Sequence, residues 1–172
     1  MDKNCSGIVL SGGLNRRMGG RNKALLKIGG RRFLERIAAA LNDCVDRILL
    51  VTRQPQHYRT YPLRVVKDIL RVRTPLAGIH SGLVHMHTDY GFCTSCDTPL
   101  LKSELVRILI DEIDPAFDII VPSSGSYYQP LCAVYSKRCI PIIENHLERG
   151  DVKADGIYKQ LQIKKIPYNR FQ

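Results

Sequence analysis

A three-layer α/β fold, with a mainly parallel sheet between two layers of helices, is what this sequence predicts, and three observations predict it. Short apolar runs recur along the chain at the length of buried strands. Amphipathic stretches with apolar residues at i, i+3, i+4 and i+7 stand between them. Turn-forming residues separate the two kinds of segment, and alternating strands and helices close into a parallel sheet with both faces covered.

The strand-like runs are GIVLS (7–11), RILLVT (47–52), LRVVK (63–67), GFCTS (91–95), DIIVPS (118–123) and LCAVYS (131–136). Each is a short, mainly apolar run, as a buried strand should be. The helical stretches are FLERIAAALNDC (33–44), LAGIHSGLVHMH (76–87) and KSELVRILIDEI (102–113). A cap is expected at Lys102 or Ser103, after Pro99. From Pro122 onward the pattern is less regular: PSSGSYYQP reads as a loop, and IPIIENHLERG (140–150) as a further helix ending at Gly150.

At 172 residues the chain has the usual length of one domain, with enough material for a core of its own. Its 44% hydrophobic and 24% charged residues argue against extensive disorder. No apolar run reaches the roughly 18 residues of a membrane span, and MDKNC lacks the apolar centre of a signal peptide. The cytoplasm is therefore the expected location, with no membrane partner. The 26 Lys and Arg against 16 Asp and Glu give a formal charge of +10, which calls for an anionic partner. Nucleic acid is the poorer candidate: outside one loop the cations are dispersed, Trp is absent, and Tyr127–Tyr128 is the only aromatic pair. The six cysteines read as reduced thiols. Cys93 and Cys96 form the only CxxC pair, which without a second pair reads as a packed strand residue and a strand-end residue, not as a zinc site.

Chemistry in an open α/β sheet collects beyond the carboxyl ends of the strands. Four loops fall there: VLSGGLNRRMGGRNKALL (9–26), Asp68 after LRVVK, TSCDTP (94–99) and SYYQP (126–130). The first matches neither familiar phosphate loop. Gly12, Gly13, Gly19 and Gly20 contain no Gly-x-Gly step, no Gly-Lys-Ser/Thr occurs, and the second strand ends in Thr52 and Arg53 where a ribose-binding acid would stand. It offers instead glycines that let the main chain approach a ligand, together with Arg16, Arg17, Arg21 and Lys23. That combination suits a triphosphate, though a solvated basic turn would look the same. Asp97, held in a turn at a strand end, could bind Mg²⁺, which needs only one or two carboxylates beside substrate phosphates; it could also be a plain turn carboxylate. Asp68 has the same two readings.

The stretch LSGGLNRRMGGRNKALL resembles the signature LAGGxSxRMGxxKxLL of the small nucleotidyltransferases, and TPLAGIHSGL and CDTPLL resemble that family's next two motifs. Order and spacing agree through residue 101. The chain is identified as similar to the molybdenum cofactor guanylyltransferase family, which implies a Rossmann-like, three-layer αβα sheet of the nucleotidyltransferase type. It also implies a single domain over 1–172, with residues 1–101 on the nucleotide side and 102–172 on the acceptor side. The implied activity is transfer of GMP from GTP to molybdopterin cofactor with release of pyrophosphate. A related CTP-dependent transferase with another phosphorylated acceptor is the alternative.

The resemblance further implies that Leu10, Ser11, Gly12 and Gly13 contact the nucleotide through their backbone. Arg17 and Lys23 would clamp its phosphates, Asp68 would contact the nucleotide, and Asp97 would both lie beside GTP and bind Mg²⁺, or Mn²⁺ in its place. Arg17, Lys23 and Asp97 are the implied catalytic residues. Other cofactor-biosynthesis or acceptor proteins are implied as further partners. The chain departs from the pattern at Ser11, where alanine is usual; at Val51 and Thr52, where relatives carry Asn; and at Gln129–Pro130, where relatives show His-Pro. A phosphate monoester is a competent nucleophile near neutral pH, so no Ser-His-Asp arrangement is required. Of the five histidines only His80, inside AGIHSG, falls within a motif, and it reads as structural.

Overall fold

The structure, a computed structural model, describes residues 4–12 and 23–171. Its strands are β1 (Cys5–Ser11), β2 (Lys27–Ile28), β3 (Arg31–Arg32), β4 (Ile48–Thr52), β5 (Arg64–Lys67), β6 (Tyr90–Ser95), β7 (Ile119–Ser124), β8 (Tyr127–Tyr128), β9 (Cys132–Ser136) and β10 (Ile163–Pro167). Among the described residues four α-helices join them: α1 (Phe33–Asn42), α2 (Pro75–His85), α3 (Ser103–Asp111) and α4 (Cys139–Glu148). The main sheet runs β10-β7-β9-β6-β1-β4-β5, with β8 paired to β7. β1 lies parallel to both β4 and β6, and β5 is parallel to β4. β9 runs antiparallel to both of its neighbours, so the sheet is mixed but mostly parallel.

Alternation along β1 explains the layers, because successive side chains in a strand point to opposite faces. Ile8 and Leu10 join the core under α2 and α4, with Leu76, Ile79, Leu83, Ile143 and Leu147. Cys5 and Val9 join the core under α1 and α3, with Leu34, Ile37, Leu41, Val106 and Leu109. Two glycines let α2 lie close to β1. A Cβ at Gly82 would come within 2.4 Å of Ile8 Cγ2, and one at Gly78 within 3.1 Å of Leu10 Cδ2. The small residues of LAGIHSGL therefore do packing work, whatever else that motif does.

The apolar runs fall on six strands, and the amphipathic stretches on the four helices. PSSGSYYQP is not a loop. β7 extends to Ser124, Gly125 takes a positive φ of 59°, and Tyr127–Tyr128 pair back on Ser123–Ser124. Besides β8 in that stretch, three more strands have no counterpart in the sequence pattern. β2 and β3 are two residues each and are set by Gly29 (φ 55°) and Gly30 (φ 79°), the two positive values of a tight hairpin turn. β10 is an edge strand whose Lys164 and Lys165 blur the pattern. At α3 the cap position is Lys102, which makes no side-chain capping bond. Gly150 does stand past the end of α4, with φ 81° and its N–H on Leu147 O at 3.0 Å.

All six cysteines are free. Cys93 packs in the α2–α4 core and Cys96 in the α1–α3 core, so the CxxC pair straddles the sheet and cannot grip one metal ion. Burial raises the Cys5, Cys132 and Cys139 thiols to about 12, which keeps them protonated and inert near neutral pH. Among the described residues no helix is long and apolar enough to cross a membrane.

Candidate nucleotide site

Parallel strands β6, β1, β4 and β5 are consecutive in the sheet, so their carboxyl ends share one edge. Side chains and main-chain groups tie the edge together strand by strand. The N–H of Cys96 donates to Leu10 O at 2.9 Å, joining the turn after β6 to β1. Thr52 Oγ1 donates to Ser11 O at 3.0 Å, joining β1 to β4. Asp68 N–H donates to Thr52 O at 3.0 Å, joining β4 to the start of the loop after β5.

Asp97 stands in the turn after β6. Thr98 donates its N–H to Ser95 O at 3.3 Å and its hydroxyl to the same oxygen, while Thr94 Oγ1 meets Thr98 Oγ1 at 3.1 Å. Arg36 Nε on α1 holds the far side of the turn through Pro99 O at 3.1 Å. The carboxylate is thus fixed at its base and open at its tip, with the side chain 44% exposed. Lys23 Nζ meets Asp97 Oδ2 at 3.0 Å. The Ser95 hydroxyl, and after it Lys23, hold the Asp97 carboxyl below its ordinary value of 3.8 against the opposing effect of burial.

Ser11 is the last residue of β1. Its hydroxyl hydrogen-bonds the Tyr58 hydroxyl, buried in the 3-10 turn Pro55–Tyr58. Arg32 Nη1 reaches Tyr61 Oη at 2.7 Å, and the Tyr61 ring lies 6.1 Å from that of Tyr58. The departure from alanine at position 11 therefore has a structural partner. Gly12 is exposed, and a Cβ there would meet nothing within 4 Å. The carbonyls of Leu10 and Ser11 already accept bonds from within the fold, while Gly12 leads into the cationic loop. Gly13, Arg16, Arg17 and Arg21, to which the sequence assigns backbone and phosphate contacts, lie outside the described residues.

Asp68 is half-buried at the other end of the edge. Its Oδ1 lies 2.9 Å from Ser81 Oγ, whose one proton it shares with Ala77 O, also at 2.9 Å, and Ser81 Oγ in turn accepts the Ile69 N–H at 2.9 Å. Ser81 sits in the middle of α2, in the stretch SGL, so that helix both packs on β1 and sets the rotamer of Asp68. A cavity of about 440 Å³ opens beside it, lined by Arg53, Lys67, Asp68, Ile69, Leu70 and Arg71.

The edge brings together Leu10, Ser11, Gly12, Lys23 and Asp97 and sets Asp68 two strands from β1. Sequence reasoning missed Ser81, Ser95, Thr52 and Tyr58, whose hydroxyls fix the others. Thr52 is 2% exposed, its hydroxyl engaged by Ser11 O and by the Gln54 N–H at 3.2 Å. It links strands, a different task from the side-chain contact an asparagine there could offer. His80 is also structural. It is 2% exposed, and its Nε2 meets Glu144 Oε1 at 2.8 Å, tying α2 to α4.

Among the described residues no three His, Cys, Asp or Glu side chains cluster as a metal cage. The donor set at Asp97 nonetheless fits Mg²⁺, an oxygen-seeking ion that takes one or two carboxylates and draws its remaining ligands from phosphates and water.

A mostly parallel sheet whose carboxyl edge holds a lysine–carboxylate pair, with a second carboxylate over a cavity, accords with one class of protein, the α/β nucleotidyltransferases. The chain belongs to the MobA-like NTP transferase domain family, whose model matches residues 7–165. The molybdenum cofactor guanylyltransferase of Desulfosudis oleivorans is 35% identical over 167 residues, covering 97% of this chain and 83% of its own. That of Aliivibrio fischeri is 35% identical over 159 residues, covering 92% and 82%. The crystal structure of molybdopterin-guanine dinucleotide biosynthesis protein A from Archaeoglobus fulgidus superposes with a TM-score of 0.82 at 23% identity, covering 97% of this chain and 85% of that one, a likeness of fold.

Proposed function

We propose that this chain is a molybdenum cofactor guanylyltransferase, which moves GMP from GTP onto the terminal phosphate of molybdopterin cofactor and releases pyrophosphate. The observation that carries the reading is the 3.0 Å contact between Lys23 and Asp97, which unites two motifs 74 residues apart at one strand edge. Relatives 35% identical across nearly the whole chain bear that name and support the choice of nucleotide and acceptor.

The acceptor phosphate oxygen attacks the α-phosphorus in line; the new P–O bond forms as the bond to the β-phosphate oxygen breaks. The leaving pyrophosphate takes up the electron pair, so the protein's task is to position and neutralise. Lys23 exchanges its carboxylate partner for phosphate oxygens, and Arg17 adds a second cation from the glycine loop. Leu10, Ser11, Gly12 and Gly13 line the nucleotide along their backbone. Asp68, oriented by Ser81, accepts hydrogen bonds from the nucleoside. Asp97 is the residue that would hold Mg²⁺, or Mn²⁺ with the same oxygen preference, and the bound ion would supply charge neutralisation at the phosphates. Residues 1–101 serve the nucleotide, and residues 102–172 the acceptor and any protein that delivers or receives it. The cytoplasm, where free thiols persist, suits six unpaired cysteines.

Purified protein incubated with each nucleoside triphosphate, Mg²⁺ and molybdopterin cofactor should release pyrophosphate with GTP alone. Release with CTP in place of GTP would replace this reading with the cytidylyl alternative.

A further inference from the structure

Of the four sequence stretches at the carboxyl edge, SYYQP is the one the reaction leaves without a task. β9 runs antiparallel to both β6 and β7, so β6 and β7 point the same way and end on the same edge. β10 occupies one side of β7 as far as Ser123. Tyr127 and Tyr128, paired on Ser124 and Ser123, therefore take the other side, the one that faces β6. Register fixes the height. Phe92 pairs with Val134 and Val134 with Ile120, so Ser123 and Ser124 stand level with Ser95 and Cys96. Tyr127 is thus set beside the turn that carries Asp97, no more than two strand spacings away, about 10 Å.

The two tyrosines face opposite ways, as neighbours in a strand do. Tyr128 packs against the α2–α4 core, where the Tyr158 ring meets its own edge-on at 5.1 Å and Lys165 Nζ lies 5.3 Å from its centre. Tyr127 takes the other face, on which Ala24, next to Lys23, and Cys96, next to Asp97, are packed. The main chain beneath it is braced. Gly125 supplies a φ of 59° at the turn, the Gln129 N–H donates to Pro122 O at 3.2 Å, and Tyr135 Oη donates to Pro130 O at 2.7 Å. Yet Tyr127 is 74% exposed, and Leu100, in the connection that follows Asp97, is 72% exposed. Among the described residues these are the two most exposed large hydrophobic side chains. An aromatic ring on a braced hairpin offers a flat apolar face at little cost in ordering.

The run of the nucleotide decides what that face receives. From Lys23 and Asp97 the nucleotide site extends across β1 and β4 toward Asp68. In-line transfer brings the acceptor in opposite the leaving pyrophosphate, and the β9–β7 side is the one left open to it. The acceptor is a phosphate monoester that carries a flat, fused pterin-type ring on a short arm. With its phosphate at the charged end of the edge, its ring falls beside the hairpin, and flat heterocycles stack on tyrosine as nucleobases do.

We propose that Tyr127 is an acceptor-binding residue, whose ring stacks on the flat heterocycle of the phosphorylated acceptor, with Leu100 bordering the same surface. The assignment rests on the guanylyltransferase reading above and adds to it a residue that the three sequence motifs do not include.

Steady-state kinetics of the full chain test it, with molybdopterin cofactor varied at saturating GTP and Mg²⁺, then GTP varied at saturating acceptor. Thermal melting checks the fold. Tyr127→Ala should raise KM for the acceptor roughly tenfold, the scale of a lost aromatic stack, with KM for GTP and the melting temperature held. Tyr127→Phe keeps the ring and should recover most of that loss. An unchanged acceptor KM in Tyr127→Ala would overturn the assignment and leave the exposed ring to a protein partner. Tyr127→Phe weakened as much as the alanine variant would overturn it as well, since the hydroxyl would then be the contact. So would an equal rise in KM for GTP, which would place the tyrosine at the nucleotide. A wild type that releases no pyrophosphate from GTP with this acceptor is a different result, and would overturn the guanylyltransferase reading and the assignment with it.

Discussion

Asp97 and Asp68 both follow strands that end on the same edge of the sheet, yet their surroundings differ in kind. Asp97 is held by a cation and a hydroxyl and keeps an exposed tip. Asp68 is held by Ser81, whose hydroxyl is itself fixed to the main chain at Ile69 and donates to Asp68 over a cavity. A carboxylate paired with a half-buried lysine can exchange that partner for a divalent ion once phosphates draw the lysine away. A carboxylate oriented by neutral hydroxyls is suited to accept from a neutral donor, such as a nucleoside. On the proposed reading, one sheet edge separates charge chemistry at β1–β6 from recognition at β4–β5.

The contrast can be broken at either end, and the largest effect is expected at Asp97. Asp97→Asn should lower metal-dependent turnover by about a hundredfold or more while the melting temperature stays close to wild type, since a charge is removed from an open turn. Unchanged turnover would mean the carboxylate is only a turn former. Lys23→Ala should reduce kcat/KM for the nucleotide by roughly 2 kcal/mol, about thirtyfold, the scale of a lost charge-assisted bond.

Ser81→Ala is the gentler break at the other end. It frees Asp68 Oδ1 and leaves the Ile69 N–H without its acceptor, so KM for the nucleotide should rise by about 1 kcal/mol, some fivefold, with kcat nearly unchanged. A matching fall in kcat would place Asp68 among the groups that act on the phosphates and would erase the distinction between the two ends.

The smallest expected effect is that of pH. The folded-state pKa of Asp97 is depressed, so its contribution to stability is present in full above the ordinary value of 3.8 and is lost as pH falls through the lower folded value. Between pH 7 and pH 5 neither the melting temperature nor metal binding should change through Asp97. In Lys23→Ala, where one of the groups holding the pKa down is gone, the acid transition should move up in pH.

The two ends also differ in how much the sequence reveals. Both carboxylates are legible as strand-end residues, because buried central strands read as apolar runs and the next polar residue marks the edge. The helices are legible for the same reason of periodicity. What escapes is the set of hydroxyls. Ser81 lies on a helix face crowded with Ala77, Gly78 and Gly82, where a small residue reads as packing, and only the approach of α2 to β1 brings its oxygen to Asp68. Ser11, Thr52 and Tyr58 meet through the parallel register of β1 with β4 and the 3-10 turn after it, a pairing that no local pattern encodes. The short hairpins around Gly29–Gly30 and Gly125 and the lysine-bearing edge strand β10 fall below the length or contrast that periodicity needs. CxxC is the opposite case: a motif visible in the chain that strand geometry divides between two faces.

The central claim is that Asp97 and the Lys23 end of the glycine loop share one metal-bound nucleotide. Mn²⁺ binding followed by electron paramagnetic resonance, with and without a non-hydrolysable GTP analogue, tests it most directly. Wild type should take up one Mn²⁺ per chain when the nucleotide is present and much less without it, and Asp97→Asn should lose that uptake while still folding. Undiminished Mn²⁺ uptake by Asp97→Asn in the presence of the nucleotide would contradict the claim.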